Sequence, residues 1–191
     1  RQTIHFLSQQ NEHIDTLLKS CMQGKPSAQL EIYNRYYKAM YNTAFRIVKH
    51  TAEAEDVMQE SFLSAFTKLH TFKGDVTFGA WLKRIVINNS IYHYKKQQKK
   101  RAVDLDDVMY KVEDNDGVAS DQNGYTELKA QKVMETMKSL KDNYRVSLTL
   151  HLIEGYDYKE ISEIMNISYA NCRTMISRAK QSLRKKLTVN V

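Results

Sequence analysis

Proline is nearly absent from this chain. Pro26 is the only one in 191 residues, and glycine occurs six times. A loop-rich or collagen-like architecture is thereby excluded. Cysteine is equally scarce, with Cys21 and Cys172 far apart. Two separated thiols make no disulfide framework and fit a reducing compartment, so a cytoplasmic location is expected. No apolar run approaches the ~20 residues that a membrane-spanning helix needs, so no membrane insertion is expected. Arg1 to Gln10 has neither a long apolar core nor an evident cleavage site, and no signal peptide is expected there. His5, His13, His50, His70, His93 and His151 are scattered without a metal-binding spacing. There is no glycine-rich phosphate loop and no G-x-S-x-G. No metal, cofactor or catalytic set is expected, and an enzyme is disfavoured.

What the chain does have is segregated charge. Lys and Arg total 29 against 22 Asp and Glu, a net charge of +7. From Lys83 to Arg101 there are seven basic residues and no acid, and from Arg173 to Lys186 six, again with no acid. Between these stretches, Ala102 to Glu127 holds eight acids and one lysine. Gly117, Ser120, Asn123 and Gly124 lie in that acidic stretch, which lacks a sustained apolar period. It reads as a flexible linker between two small domains. The two basic stretches point to a negatively charged partner.

The periodicity on both sides of the linker is helical, with no strand pattern of any length. Ile14, Leu17, Leu18 and Cys21 fit a short first helix. Pro26 can open a second, whose apolar face reads as Leu30, Tyr33, Tyr37, Met40, Tyr41 and Ala44. Thr51 is expected to cap a third, with Glu53, Glu55 and Asp56 in its first turn and Met58, Phe62, Ala65, Phe66 and Leu69 facing inward. Lys73-Gly74-Asp75 breaks the chain. Thr77 can cap a fourth helix that turns Phe78, Trp81, Leu82, Ile85 and Val86 inward. Beyond the linker, Leu128, Val133, Met134, Met137 and Leu140 suggest a helix. Val146, Leu150 and Ile153 suggest another, closed by Gly155. Asp157 with Glu160 reads as a capping pair, Asn166 as a left-handed turn residue and Ser168 as the cap of a last helix.

That last helix ends a helix-turn-helix plan. Its apolar stripe is Cys172, Met175, Ile176, Ala179, Leu183 and Leu187; Arg173, Ser177, Gln181 and Arg184 form the opposite stripe, beside Thr174 and Arg178. Arginine forks, hydroxyls and lysines are what duplex reading requires. A merely solvated face would mix signs. The N-terminal unit differs in kind. Its third helix opens with four acids and no base, a surface that nucleic acid would repel and a basic protein would accept. Its fourth is basic, with Trp81, Asn88, Asn89, Tyr92 and Tyr94 among the charges. Amides can bond exposed base edges and aromatic rings can stack on unpaired bases. Core packing for Trp81 and a plain helix surface for the amides remain open at this point. The residues alone are compatible with a stand-alone helix-turn-helix regulator carrying a dimerisation or sensor bundle. A small helical nuclease would need clustered carboxylates or histidines at a cleft. These acids lie at a helix start and in a linker.

Three N-terminal segments, Glu53-Ala-Glu-Asp-Val-Met-Gln-Glu-Ser-Phe62, Phe72-Lys-Gly-Asp-Val-Thr-Phe78 and Trp81-Leu-Lys-Arg-Ile-Val-Ile-Asn88, resemble region 2 of extracytoplasmic-function (ECF) sigma factors, in the sigma-70 family. Tyr158-Lys-Glu-Ile-Ser-Glu-Ile-Met165, through Arg173 to Arg178-Ala179, resembles their region 4. Order, spacing and the intervening acidic linker agree over about residues 12–188. The resemblance implies an all-α fold of two small domains: a region 2 four-helix bundle at 12–101, an acidic linker at 102–126 and a region 4 helix-turn-helix at 127–188. It implies a non-enzymatic subunit that binds RNA polymerase core, through the β′ clamp and β flap, and promoter DNA both duplex and single-stranded. It leaves room for an anti-sigma factor or another regulatory protein as a partner.

Position by position, the resemblance assigns Glu55, Asp56, Gln59 and Glu60 to the β′ clamp. Phe72, Lys73, Gly74, Asp75 and Phe78 would belong to a pocket for a base flipped from the −10 element. Asn88 matches a base-contacting asparagine, and Lys83, Arg84, Lys95 and Lys96 would hold backbone phosphates. Ser168, Arg173, Thr174, Ser177 and Arg178 would read the −35 element as duplex. Asp104, Asp106, Asp107, Glu113, Asp114 and Asp116 of the linker would mimic RNA phosphates on the exit path. Ala170-Asn171-Cys172 and Met175 depart from the common family pattern, which is expected to change −35 preference rather than abolish binding. Cys172 is expected to be a core residue rather than a redox sensor.

Overall fold

The computed structural model describes residues 14–104 and 125–189. All regular structure among them is helical, and the chain divides into two compact units, 1–96 and 97–191. The acids from Asp106 to Asp116, and the N-terminal residues read for a signal peptide, lie outside the described residues.

The first unit contains α1 (14–22), α2 (Pro26–Val48), α3 (Thr51–Thr67) and the start of α4 (Phe78–Asp104). Pro26 stands in the first turn of α2, where its missing N–H costs no hydrogen bond. α2 ends at Lys49, whose left-handed backbone (φ 61°) lets its N–H bond Phe45 O at 2.8 Å. The cap of α3 differs from expectation. His50 is extended and occupies the cap position, its Nδ1 accepting from Glu53 N–H at 3.5 Å; Thr51 is already helical. Only Glu53 therefore sits in the first turn, and Glu55 and Asp56 fall one turn later. Gly74 takes φ 79° in the break before α4, and Thr77 Oγ1 accepts from Ala80 N–H at 3.3 Å as expected of a cap.

The core of this bundle joins Leu17, Ile32, Ala44, Val57, Phe62, Leu82 and Val86. The face expected for α2 is corrected. Leu30 is 60% and Tyr37 45% exposed, while Ala28, Ile32, Thr43, Ile47 and Val48 are buried beside Met40 and Ala44. Two apolar stripes overlap on α2, and packing against α3 selects the one with the smaller side chains. Tyr33 bridges them, stacking on Tyr37 at 5.8 Å and touching Phe62 at 4.8 Å between ring centroids.

The second unit contains α5 (Tyr125–Lys138), α6 (Asp142–Leu148), α7 (Tyr158–Met165) and α8 (Tyr169–Val189). A π-helical turn, Thr149–Ile153, prolongs α6. The wider turn buries Leu150 and leaves Leu152 49% exposed. Gly155 stops it at φ 78°. Asp157 and Glu160 form the expected capping box, with reciprocal bonds of 2.8 and 2.9 Å. Asn166 takes the left-handed position (φ 51°), and Ser168 Oγ accepts from Asn171 N–H at 3.2 Å to start α8. α8 packs on α5, α6 and α7 through Cys172, Ile176, Ala179 and Leu183. α4 runs to Asp104 and α5 starts at Tyr125, on either side of the stretch read as a linker.

Candidate nucleic-acid interface

Helical geometry divides α3 into a buried and a charged side. Ala54, Val57, Met58, Ser61, Phe62 and Ala65 are buried. Glu55, Asp56, Gln59 and Glu60 are all exposed, one turn and two turns into the helix. Glu60 is also engaged within the unit: its carboxylate lies 3.0 Å from His93 Nε2 of α4. Leu63, one turn beyond Gln59, is 69% exposed and extends this side with an apolar end. The sequence reading missed it. Its signal was position, since Leu63 falls outside the inward spacing of Met58, Phe62, Ala65 and Phe66.

The segment before α4 separates into support and surface. Phe72, Phe78 and Trp81 pack as a three-ring cluster with centroids 5.4 to 5.8 Å apart, and Tyr36 meets Phe78 edge-on at 5.5 Å. Phe78 is only 3% exposed, so it carries the loop from beneath and presents no ring to a ligand. Trp81 is likewise part of this packing. Lys73, Gly74, Asp75, Val76 and Thr77 form the exposed tip. Close packing reaches the backbone: a Cβ on Gly79 would come within 3.0 Å of the Tyr36 ring.

On α4 the two adjacent asparagines part company. Asn88 is exposed. Asn89 donates to Ser61 Oγ at 3.0 Å, and Ser61 in turn donates to Val57 O at 2.6 Å. Asn89 is thus a tie between α4 and α3, not a surface amide. Tyr94, grouped by sequence with the surface aromatics, is buried at 8% exposure, whereas Tyr92 is 64% exposed. Arg84 and Lys95 are half-buried at the margins of the Asn88 side, and Lys96 is exposed. Lys83 is set apart: five residues from Asn88, it lies about 140° around the helix and does not share that side.

α8 carries the second surface. Arg173, Thr174, Ser177, Arg178, Gln181 and Arg184 are exposed, as is the cap residue Ser168. They lie opposite the fully buried Cys172, Ile176 and Ala179. Thr174 Oγ1 donates back to Ala170 O at 3.0 Å, which leaves its oxygen as an acceptor. Met175 is half-buried at the edge of the core stripe. Two of the helix's cations are used internally. Lys180 Nζ donates to His151 Nε2 at 3.1 Å and sits 5.9 Å from the Tyr158 ring centroid; Lys186 donates to Ser139 O at 2.7 Å. The His151 contact requires the neutral tautomer with hydrogen on Nδ1, which reaches Tyr156 O at 3.1 Å. Both lysines pin α8 to its unit. Both cysteines are free and buried, and desolvation raises each thiol's pKa, which suits packing and not redox reactivity.

Among the described residues, then, unit one exposes carboxylates on α3 and amide and cationic groups on α4, while α8 exposes arginines and hydroxyls. The chain matches the sigma-70 region 2 model over residues 32–100 and the sigma-70 region 4 model over 130–183. The ECF RNA polymerase sigma factor SigM of Bacillus subtilis is 32% identical over 155 residues, covering 81% of this chain and 91% of that relative. The chain belongs to the ECF sigma factors. SigW of the same organism is 28% identical over 176 residues, covering 89% of this chain and 94% of its own length. The solved structure of the sigma factor RpoE with the anti-sigma factor NepR from Bartonella quintana shares the fold. Its TM-score is 0.58 at 21% identity, over 84% of this chain and 97% of that one. Sigma factors are non-enzymatic initiation factors that bind RNA polymerase core and promoter DNA. The region 2 match assigns the N-terminal bundle to sigma architecture, not to the dimerisation or sensor bundle of a stand-alone regulator. Among the described residues no helix is long and apolar enough to cross a membrane.

Proposed function

We propose that this ECF sigma factor acts from the cytoplasm, docks on the β′ clamp through α3, captures the −10 element with α4 and its preceding loop, and reads the −35 duplex with α8. One observation carries the division of labour: exposed acids gather on α3 at Glu55, Asp56 and Glu60, whereas α8 and the Lys83–Arg101 stretch of α4 contain no acid. A phosphate backbone is repelled by the first surface and attracted by the others.

In this reading Gln59 hydrogen-bonds beside the three carboxylates and Leu63 supplies an apolar contact to the clamp. Lys73, Gly74 and Asp75 form the rim that receives a flipped base, with Phe72 and Phe78 as the packed floor. Flipping costs a few kcal/mol, and a pocket that accepts only the extruded base offsets this while selecting sequence. Asn88 contacts a base; Arg84, Lys95 and Lys96 neutralise phosphates, and Lys83 approaches a different stretch of backbone. Arg173 and Arg178 donate to guanine edges, while Ser168, Thr174 and Ser177 contact bases or phosphates. The acidic stretch between the domains occupies the RNA path until the transcript displaces it. Region 4 also meets the β flap, and an anti-sigma factor or another regulatory protein would compete for these surfaces.

Transcription in vitro with core polymerase on randomised promoters, followed by sequencing of start sites, tests this reading. Enrichment of paired −35 and −10 motifs is expected; no start-site selection above core polymerase alone overturns it. The two asparagines make a sharper comparison. Asn88→Ala is expected to impair open-complex formation more than closed-complex binding, and equal loss at both stages would make Asn88 structural. Asn89→Ala is expected to lower folding stability by about 1 kcal/mol, the worth of one hydrogen bond, because Ser61 keeps its own acceptor. Thermal unfolding separates the two variants.

A further inference from the structure

Arg84, Asn88, Tyr92 and Lys95 follow one another on α4 at helical spacing and so lie along one side. Tyr92 stands in the middle of this side, 64% exposed. The other rings near the start of α4 pack on one another, so Tyr92 is an aromatic that the bundle core does not use. It is nonetheless braced. Its ring meets that of His93 nearly at right angles, 79° with centroids 5.8 Å apart. His93 is itself held across to α3 by Glu60 at 3.0 Å.

We propose that Tyr92 is a stacking platform for an unpaired base of the −10 strand, one helical turn beyond the base held by Asn88. The proposal rests on reading α4 as the −10 surface. Its neighbours on the same side are an arginine, an amide and a lysine, none apolar, which suits a phosphate-bearing strand and offers little to an apolar protein segment. The cations at both ends of the stripe attract the backbone, and a ring between them meets the π-face of whichever base passes over it. Stacking is tolerant of sequence, so Tyr92 retains the opened strand while Asn88 and the loop choose the base. A ring braced before binding loses little freedom when the base arrives.

The test uses the full chain with core polymerase on a promoter obtained by the selection above. 2-Aminopurine replaces each non-template base of the −10 element in turn. Opening raises its fluorescence at most positions; at the position stacked on Tyr92 it is expected to stay quenched. Tyr92→Phe should keep that quenching, and Tyr92→Ala should lose it and shorten open-complex lifetime by roughly tenfold, the scale of one base–aromatic stack. Closed-complex binding and the thermal midpoint should not move. If the alanine variant keeps both quenching and lifetime on a promoter that the wild type opens, the platform is overturned while the −10 reading stands. If the wild type opens no promoter, the reading of α4 fails and takes the platform with it. Loss of polymerase binding in both variants would assign Tyr92 to a protein contact and overturn the proposal.

Discussion

Asp56→Arg is expected to abolish detectable holoenzyme formation in a pull-down with core polymerase while leaving the thermal midpoint almost unchanged. Asp56 is exposed on the second turn of α3, four residues before Glu60 and with Glu55 and Gln59 beside it. Reversing its sign places a cation among groups arranged for a basic partner, and like-charge juxtaposition at an interface costs several kcal/mol. The fold is insensitive for two reasons. The side chain is exposed, where substitutions usually change stability by no more than about 0.5 kcal/mol. It also lies past the first turn, where the helix dipole has largely faded. Asp56→Asn should fall between wild type and the arginine variant. Normal holoenzyme formation by Asp56→Arg would show that α3 is not the docking face.

Arg173→Ala and Arg178→Ala are each expected to weaken −35 binding by ~1–3 kcal/mol, about 5-fold to 150-fold, if each arginine forks onto a guanine. The two Cα atoms are about 7.5 Å apart along α8, so the double variant should show losses that add approximately. Loss of base reading flattens discrimination among −35 sequences. Loss of a phosphate contact would instead weaken all sequences alike and reduce the salt slope by about one. Binding measured on matched and mismatched duplexes at two salt concentrations distinguishes them. Neither change disturbs the core, since both side chains are exposed and the packing stripe is Cys172, Ile176, Ala179 and Leu183. Unchanged promoter selection in both variants would remove α8 from the −35 element.

Lys180 and Lys186 mark a limit of charge counting along the sequence. Six bases without an acid in fourteen residues pointed to DNA, yet these two reach His151 and Ser139 within their own unit. A long flexible ammonium serves a carbonyl or imidazole as readily as a phosphate, and its neighbours in space come from residues 29 and 47 positions earlier. Arg173 and Arg178, by contrast, sit where the apolar stripe forces their side outward. Their position was legible from helical spacing alone.

Most helix ends were determined by the sequence because capping is local: Pro26, Thr77, Asp157 with Glu160, Asn166 and Ser168 all act on backbone groups within a few residues, whereas at α3 His50 and not Thr51 took the cap. The separation of acidic from basic surfaces was legible for the same reason, since each lies on a continuous stretch of chain. What required tertiary structure was the rotation of α2 and α4 about their own axes. Leu30 and Ile32 are two positions apart and Asn88 and Asn89 are consecutive, yet one of each pair faces solvent and the other is held within its unit. That choice is made by the packing of α3 against α2 and by the Asn89–Ser61 tie, both of which join residues distant in the chain.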